Sequence, residues 1–213
     1  AQGYGGSIHG QQAGSFGDLA ITSFFPAKPL GCYGDGGAIF TDDDELAAIC
    51  RSIRVHGKGD HKYDNVRIGM NSRLDTIQAA ILRVKLEAFH DYELERRQEI
   101  ASFYDASLRE YFETPFVPSG YGSSWAQYTL LLEDEQTRDR VQAALKDEGI
   151  PSMVYYVKPL HLQTCFADLG YEEGDLPNSE AAAKRVLQIP MHPYLTTEDA
   201  QTIVDALIRA VTK

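Results

Sequence analysis

Lys28 has the most distinctive chemical setting in this chain. It stands in Thr22-Ser23-Phe24-Phe25-Pro26-Ala27-Lys28-Pro29-Leu30-Gly31, after two phenylalanines and bracketed by two prolines. A free lysine amine has a pKa of about 10.4, so it is protonated and not nucleophilic at neutral pH. Apolar surroundings disfavour the ammonium and lower that value. A lysine lowered in this way can form a Schiff base with an aldehyde. Ser23 lies five residues earlier, at the end of an apolar run, where its hydroxyl could hydrogen-bond a phosphate. The same composition also describes a surface lysine in a proline-rich turn, because lysines are rarely fully buried.

Other segments admit two readings each. Asn71-Ser72 suits a helix N-cap, and Arg73 would then be a surface residue of the first turn. Gln2 sits at the chain start, where it could be frayed. His161, in Lys158-Pro159-Leu160-His161-Leu162-Gln163, is a loop histidine of the kind usually solvated. Tyr155 and Tyr156 close an apolar run, where tyrosines often serve only as rim packing. Gly34-Asp35-Gly36-Gly37 lacks the spacing of a dinucleotide fingerprint and precedes a strand, so it reads as a tight turn. His56, His61 and Asp60 have no recognisable metal-ligand spacing, and no metal is expected.

The elements that must position these residues follow from periodicity. Residues 1–18 are Gly-rich and polar and read as loop. Runs at 19–25 and 37–41 favour strands that could pair. Thr41 is expected to cap a helix whose apolar face is Leu46, Ile49, Cys50 and Ile53. Residues 55–70 read as a long functional loop. From Arg73 to Phe89 the pattern is helical and apolar on two sides, which calls for burial between layers or at a subunit interface. A long helix from about Tyr92 to Tyr111 follows. Pro, Gly and Ser cluster at 115–124, so a boundary is drawn there, giving domains 1–114 and 115–213. Beyond it we expect a strand at 125–133, a helix at 137–148 stopped by Gly149, and a strand at 150–157. A helix at 179–187, a short strand at 188–191 and a final helix capped by Thr196 complete a small α/β domain.

Composition limits the function classes. Of 213 residues 43% are hydrophobic, enough to bury a core. The net charge of −11 argues against nucleic-acid binding, which needs clustered cations. The densest basic pair, Arg96-Arg97, is flanked by Glu93, Glu95 and Glu99 and reads as a solvated helix face. Three scattered cysteines suggest neither a zinc site nor a disulfide framework. No apolar run approaches the roughly 18 residues needed to span a bilayer, and no signal peptide is visible. A cytoplasmic location fits these features.

The segment from Ser23 to Thr41 resembles the lysine motif of DegT/StrS-type sugar aminotransferases, which use pyridoxal 5'-phosphate (PLP). Ile68-Gly69-Met70-Asn71-Ser72-Arg73-Leu74-Asp75 resembles that family's second motif. His56-Gly57, and Leu187-Gln188-Ile189-Pro190-Met191-His192-Pro193-Tyr194-Leu195, also fit in the right order. The resemblance implies the fold type I of PLP enzymes, the aspartate-aminotransferase-like α/β fold. The chain would hold the end of its large domain and the small C-terminal domain.

The resemblance also implies roles. Lys28 matches the Schiff-base lysine and general acid and base. Ser23 matches a phosphate ligand, and Asn71 an asparagine that reaches the phosphate of the neighbouring subunit of a homodimer. Gln2 matches the glutamine of an Asp-x-x-Gln motif beside the pyridine ring; the aspartate would fall one position before Ala1. Arg73, Tyr155, Tyr156 and His161 are expected at the substrate, although Val157-Lys158 stands where relatives often have a proline. The implied reaction moves an amino group from L-glutamate to a nucleotide-linked keto-sugar, closest to UDP-linked 3-oxo sugars or uronic acids for surface polysaccharide. The rival readings are a sugar dehydratase, disfavoured because those enzymes carry histidine in place of Lys28, and a non-catalytic regulatory homologue. The chain is expected to be the C-terminal portion of such a protein and, produced alone, to be a poor enzyme prone to association.

Overall fold

The computed structural model describes residues 1–212. Two compact units form: residues 1–94 with 117–126, and residues 95–116 with 127–213. The segment 95–116, expected before the boundary at 115, makes its contacts in the second unit.

In the first unit the apolar runs pair as expected. β-Branched residues suit extended backbone. The segment read as loop at 1–18 instead contains two short strands, β1 (Ser7–Ile8) and β2 (Gln11–Gln12). They are too short and polar to signal themselves. β3 (Ala20–Ser23) and β4 (Gly37–Phe40) form an antiparallel ladder with Ile21 opposite Ile39 and Ser23 opposite Gly37.

Helix α1 (Asp44–Ile53) starts two residues later than expected. Its N-cap is Asp43, whose carboxylate accepts from the Leu46 amide at 2.9 Å. Thr41 instead accepts from the Asp43 amide and donates to the Asp18 carbonyl. An ionised acceptor at the positive helix end displaces the hydroxyl from the capping position. α2 (Thr76–Ala88) continues into a π-helical turn, Phe89–Glu93. Its N-cap is Asp75, so Asn71-Ser72 lies ahead of the helix and does not cap it. β5 (Tyr121–Gly122) pairs antiparallel with β1. Leu30, Cys32, Leu82 and Phe89 form the buried cluster of this unit, with Tyr4, Phe24, Leu74, Leu86 and Leu94 packed around it.

The second unit is built on α3 (Leu94–Leu108), β6 (Tyr128–Leu131), α4 (Glu135–Asp147), α5 (Pro177–Arg185), β7 (Val186–Ile189) and α6 (Thr197–Thr212). β6 and β7 pair antiparallel, with Tyr128 opposite Ile189. Tyr104, Leu108, Tyr128, Leu130, Leu145, Leu187 and Leu207 are fully buried. Each large side chain removed from water contributes about 1.5–3 kcal/mol before entropy is counted. The tyrosine hydroxyls in this core are satisfied: Tyr104 donates to the Pro190 carbonyl at 3.0 Å and Tyr128 to the Asp105 carboxylate. Arg97 is buried, not solvated; it shares the face of Ala101, Tyr104 and Leu108, while Arg96 pairs with Glu99 outside.

Gly149, at φ +75°, ends α4, and the Ile150 amide bonds the Leu145 carbonyl at 2.8 Å. The strand expected at 150–157 reduces to one bridge, Met153 to Gln188, because Pro151 offers no amide and the chain turns away. Pro177 takes the first position of α5, so that helix and β7 both begin two residues earlier than the sequence reading put them. Thr196 caps α6 as expected. No described helix is long and apolar enough to cross a membrane.

Candidate functional site

Lys28 rides on a closed excursion of the backbone. The chain leaves β3 at Phe24 and returns at Cys32, whose amide bonds the Phe24 carbonyl at 2.7 Å. On its other side the Phe24 amide bonds the Gly36 carbonyl at 2.8 Å. The buried Cys32 thiol donates towards the Phe24 and Gly34 carbonyls at 3.0 and 3.1 Å. Inside the excursion the Lys28 amide bonds the Phe25 carbonyl at 2.9 Å. A Cβ at Gly31 would lie 2.6 Å from the Pro26 carbonyl oxygen and 2.7 Å from that of Phe25. Only glycine lets the loop close so tightly.

Pro29 and Leu30 are buried at the base of this loop and Lys28 is half-buried. Among the described residues, no hydrogen bond or ion pair engages its Nζ. Ser23 ends β3, where its Oγ accepts from the Phe25 amide at 3.2 Å and keeps its proton to donate. One strand and its exit loop therefore carry an amine without a counter-ion and a hydroxyl able to donate.

Gln2 is exposed, and its carbonyl accepts from the buried Ser124 hydroxyl at 3.0 Å. Two residues on, Tyr4 packs against the cluster of Leu30 and Cys32, with its ring 5.6 Å from that of Phe89. The Gln2 and Lys28 segments are thus anchored on one core. Gln78 of α2, which the sequence reading passed over, accepts from the Tyr33 amide at 2.8 Å and fixes the turn after the lysine loop. A glutamine on a helix face carries no signal of a partner 45 residues away.

The loop at 55–70 folds back on the end of α1. The His56 amide bonds the Met70 carbonyl, the Met70 amide bonds the Ile53 carbonyl, and Val55 bridges Asn71. A Cβ at Gly69 would lie 2.1 Å from the Gly57 nitrogen, so close backbone contact requires a glycine there. This folding presents Asn71 and Arg73. Arg73 donates to the Asn71 Oδ1 at 2.6 Å, which leaves the asparagine Nδ2 as its free donor. Both line a cavity of about 1160 Å³ with Thr22, Arg51, Arg54 and Phe40. Among the described residues, the buried Thr22 Oγ1 has no hydrogen-bond partner. Arg51 and Arg54 look in sequence like ordinary polar positions of an amphipathic helix.

The remaining candidates lie in the second unit. Tyr155 and Tyr156 do not end a strand; they occupy a turn, exposed, with ring centroids 5.4 Å apart. His161 is not a solvated loop histidine. It is buried in a 3-10 turn with Nε2 3.0 Å from Glu180 Oε1, and the Tyr171 ring stands edge-on at 6.0 Å. Burial pushes the Glu180 carboxyl up, but the Gly174 and Leu176 amides and His161 outweigh it and hold it below its usual value. The carboxylate thus serves two backbone amides and gives the buried imidazole a hydrogen-bond partner.

Residues 1–208 match the DegT/DnrJ/EryC1/StrS aminotransferase family. A Pseudomonas aeruginosa protein named UDP-2-acetamido-2-deoxy-3-oxo-D-glucuronate aminotransferase is 48% identical over 97% of this chain and 56% of its own length. A DegT/DnrJ/EryC1/StrS aminotransferase from Brucella abortus superposes with a TM-score of 0.93 at 50% identity, over all of this chain and 56% of that one. Streptomyces venezuelae DesV, solved with a ketimine intermediate, superposes with a TM-score of 0.92 at 35% identity, over 99% of this chain and 56% of its own. The chain spans about half the length of the curated relatives it matches. Its mixed α/β structure is that of these neighbours, which have the fold type I of PLP enzymes. The chain belongs to the DegT/DnrJ/EryC1/StrS aminotransferase family.

Proposed function

We propose that this chain is the C-terminal part of a PLP-dependent aminotransferase that moves an amino group from L-glutamate to a UDP-linked 3-oxo sugar or uronic acid, in the cytoplasm, for surface polysaccharide. The observation that carries the reading is Lys28: half-buried, without a counter-ion, on a loop closed by Gly31 and followed back to Ser23. The donor set fits an aldehyde bearing a phosphate. Lys28 offers an amine, Ser23 a hydroxyl, Asn71 an amide Nδ2 and Arg73 a guanidinium. The unpartnered Thr22 hydroxyl is a further buried polar atom in the same unit. The 48% identity to a glucuronate aminotransferase supports the acceptor class.

In this reading residues 1–114 end the large domain and 115–213 form the small one. Lys28 Nζ would hold the cofactor, Ser23 would donate to its phosphate, and Gln2 would be the third residue of this chain to bind it. In a homodimer Asn71 would donate from Nδ2 to the phosphate held by the neighbouring subunit. Pyridoxal phosphate supplies an electron sink for the carbon that loses its proton. With the cofactor bound, Lys28 Nζ would take a proton from the substrate carbon and return it, as general base and then general acid. Arg73 meets an anionic part of the substrate, and Tyr155 and Tyr156 the sugar nucleotide.

Borohydride reduction of the holoenzyme followed by peptide mapping should label Lys28. Lys28→Ala should abolish transfer while leaving non-covalent cofactor binding. Label on another lysine removes the assignment. Incubation with glutamate and a UDP-linked 3-oxo sugar should give 2-oxoglutarate and a 3-amino sugar by mass spectrometry and NMR. Amination only at C4 of a 6-deoxy sugar would refute the regiochemistry and leave the reaction class.

A further inference from the structure

The turn at 154–160 is tied down at both ends. At one end Met153 exchanges both backbone hydrogen bonds with Gln188 of β7, at 3.1 and 2.8 Å. At the other end His161 is buried against Glu180 at 3.0 Å. Glu180 lies in the first turn of α5, and its carboxylate also accepts from the amides of Gly174 at 2.8 Å and Leu176 at 3.2 Å. A single buried carboxylate therefore gathers the histidine and two backbone amides spread over 161–176. Just beyond the turn the Gln163 side-chain Nε2 donates to the Lys158 carbonyl at 3.0 Å.

What these anchors hold is exposed and apolar. Tyr156 and Val157 are each 67% exposed and Leu160 72%. Burying a carboxylate and an imidazole costs free energy that their contacts must offset. Packing gains little from fixing a turn whose side chains face solvent. Recognition does gain, because a turn ordered before binding does not lose its freedom on binding. Paired aromatic rings suit the apolar face of a sugar or a nucleobase. Glutamate, a small dicarboxylate, is recognised by cations and not by such rings.

We propose that His161 and Glu180 are positioning residues for the sugar nucleotide: their buried pair holds the 154–160 turn in the shape in which Tyr155 and Tyr156 receive that substrate, and the amino-donor half-reaction does not depend on it. This rests on the proposed aminotransferase reading. The pair acts as one unit through the turn and touches neither reacting group.

The test compares the holoenzyme with its Glu180→Gln, His161→Gln and double variants, measuring each half-reaction separately. The KM for the UDP-linked 3-oxo sugar should rise about tenfold, the factor expected when one or two side chains must be ordered on binding. The KM for glutamate and the borohydride label on Lys28 should be unchanged. Deuterium uptake over 154–160 should rise, and the double variant should be no worse than the poorer single one. Equal losses in both half-reactions, or an unchanged sugar KM despite faster exchange, would overturn the proposal. So would loss of subunit association at unchanged sugar KM, which assigns the turn to a protein contact. Absence of any glutamate half-reaction in the unaltered holoenzyme overturns the aminotransferase reading itself and, with it, the ligand named here.

Discussion

At the scale of single residues, the lysine loop shows how one missing side chain sets the chemistry. Gly31 approaches two carbonyl oxygens more closely than any Cβ tolerates. Gly31→Ala must therefore open the loop between Phe25 and Cys32, at a cost of about 1–3 kcal/mol. The expected outcome is a several-fold fall in borohydride labelling of Lys28 with far-UV circular dichroism unchanged; full labelling would show that the loop relaxes without moving the amine. Lys28 and Ser23 stand out in the sequence because they are neighbours and their types are unusual there, whereas the closure of their loop by the Cys32 amide has no sequence signal. His161 was legible as a residue but not as a partner. Its acceptor, Glu180, is 19 residues away on a helix face, where glutamate is ordinarily solvated. Gln78 was silent for the same reason. Sequence spacing reports contacts along one element, and these contacts join two.

At the scale of elements, helix ends carry predictions of stability. Thr196 accepts from the Asp199 amide at 3.0 Å, and the Asp199 carboxylate accepts from the Thr196 amide and hydroxyl, a reciprocal cap on α6. Thr196→Ala should cost about 1 kcal/mol in urea unfolding. The hydrogen bonds from Thr196 hold the Asp199 carboxyl below its usual value. The unfolded chain then binds the proton more readily than the folded one, so this contribution is present above the ordinary carboxylate pKa and fades as pH falls through the folded value. Thr196→Ala should accordingly lose less stability between neutral and strongly acid pH than the parent; an identical acid response would show the cap is not felt. The cap at Thr196 was readable because its hydroxyl and acid stand three residues apart before an apolar stripe. The cap at Thr41 was misassigned because Asp43 offers a stronger acceptor two residues on. The strand at 150–157 failed where an apolar run turned out to face solvent, which periodicity alone does not reveal.

At the scale of the whole molecule, the two-sided helix has a consequence for assembly. α2 turns Leu82 and Leu86, and the π-helical turn after it Phe89, into the cluster that includes Leu30 and Cys32. Ile77 and Val84, two turns apart on the same helix, are 72% and 69% exposed. Val66, Ile68 and Met70, in the loop that presents Asn71, are exposed as well. Apolar side chains gathered on one helix and its approach loop favour association, and the proposed role of Asn71 at a neighbouring subunit's phosphate requires a second copy. The net charge of −11 makes two copies repel, so apolar burial must supply the attraction, and salt should strengthen it by screening. The double variant Ile77→Glu with Val84→Lys tests this. It places an acid in the first turn of α2, favoured by the helix dipole, and replaces a β-branched residue at 84 with a better helix former, so the helix itself should persist. If the proposed homodimer forms through this face, analytical ultracentrifugation of the holoenzyme should show the variant shifted from dimer to monomer, with circular dichroism unchanged. Its affinity for pyridoxal phosphate should fall together with the dimer, since each phosphate would lose the partner's Asn71. A variant that remains dimeric moves the interface away from α2, and a monomer that binds the cofactor as tightly as the parent removes Asn71 from the shared site.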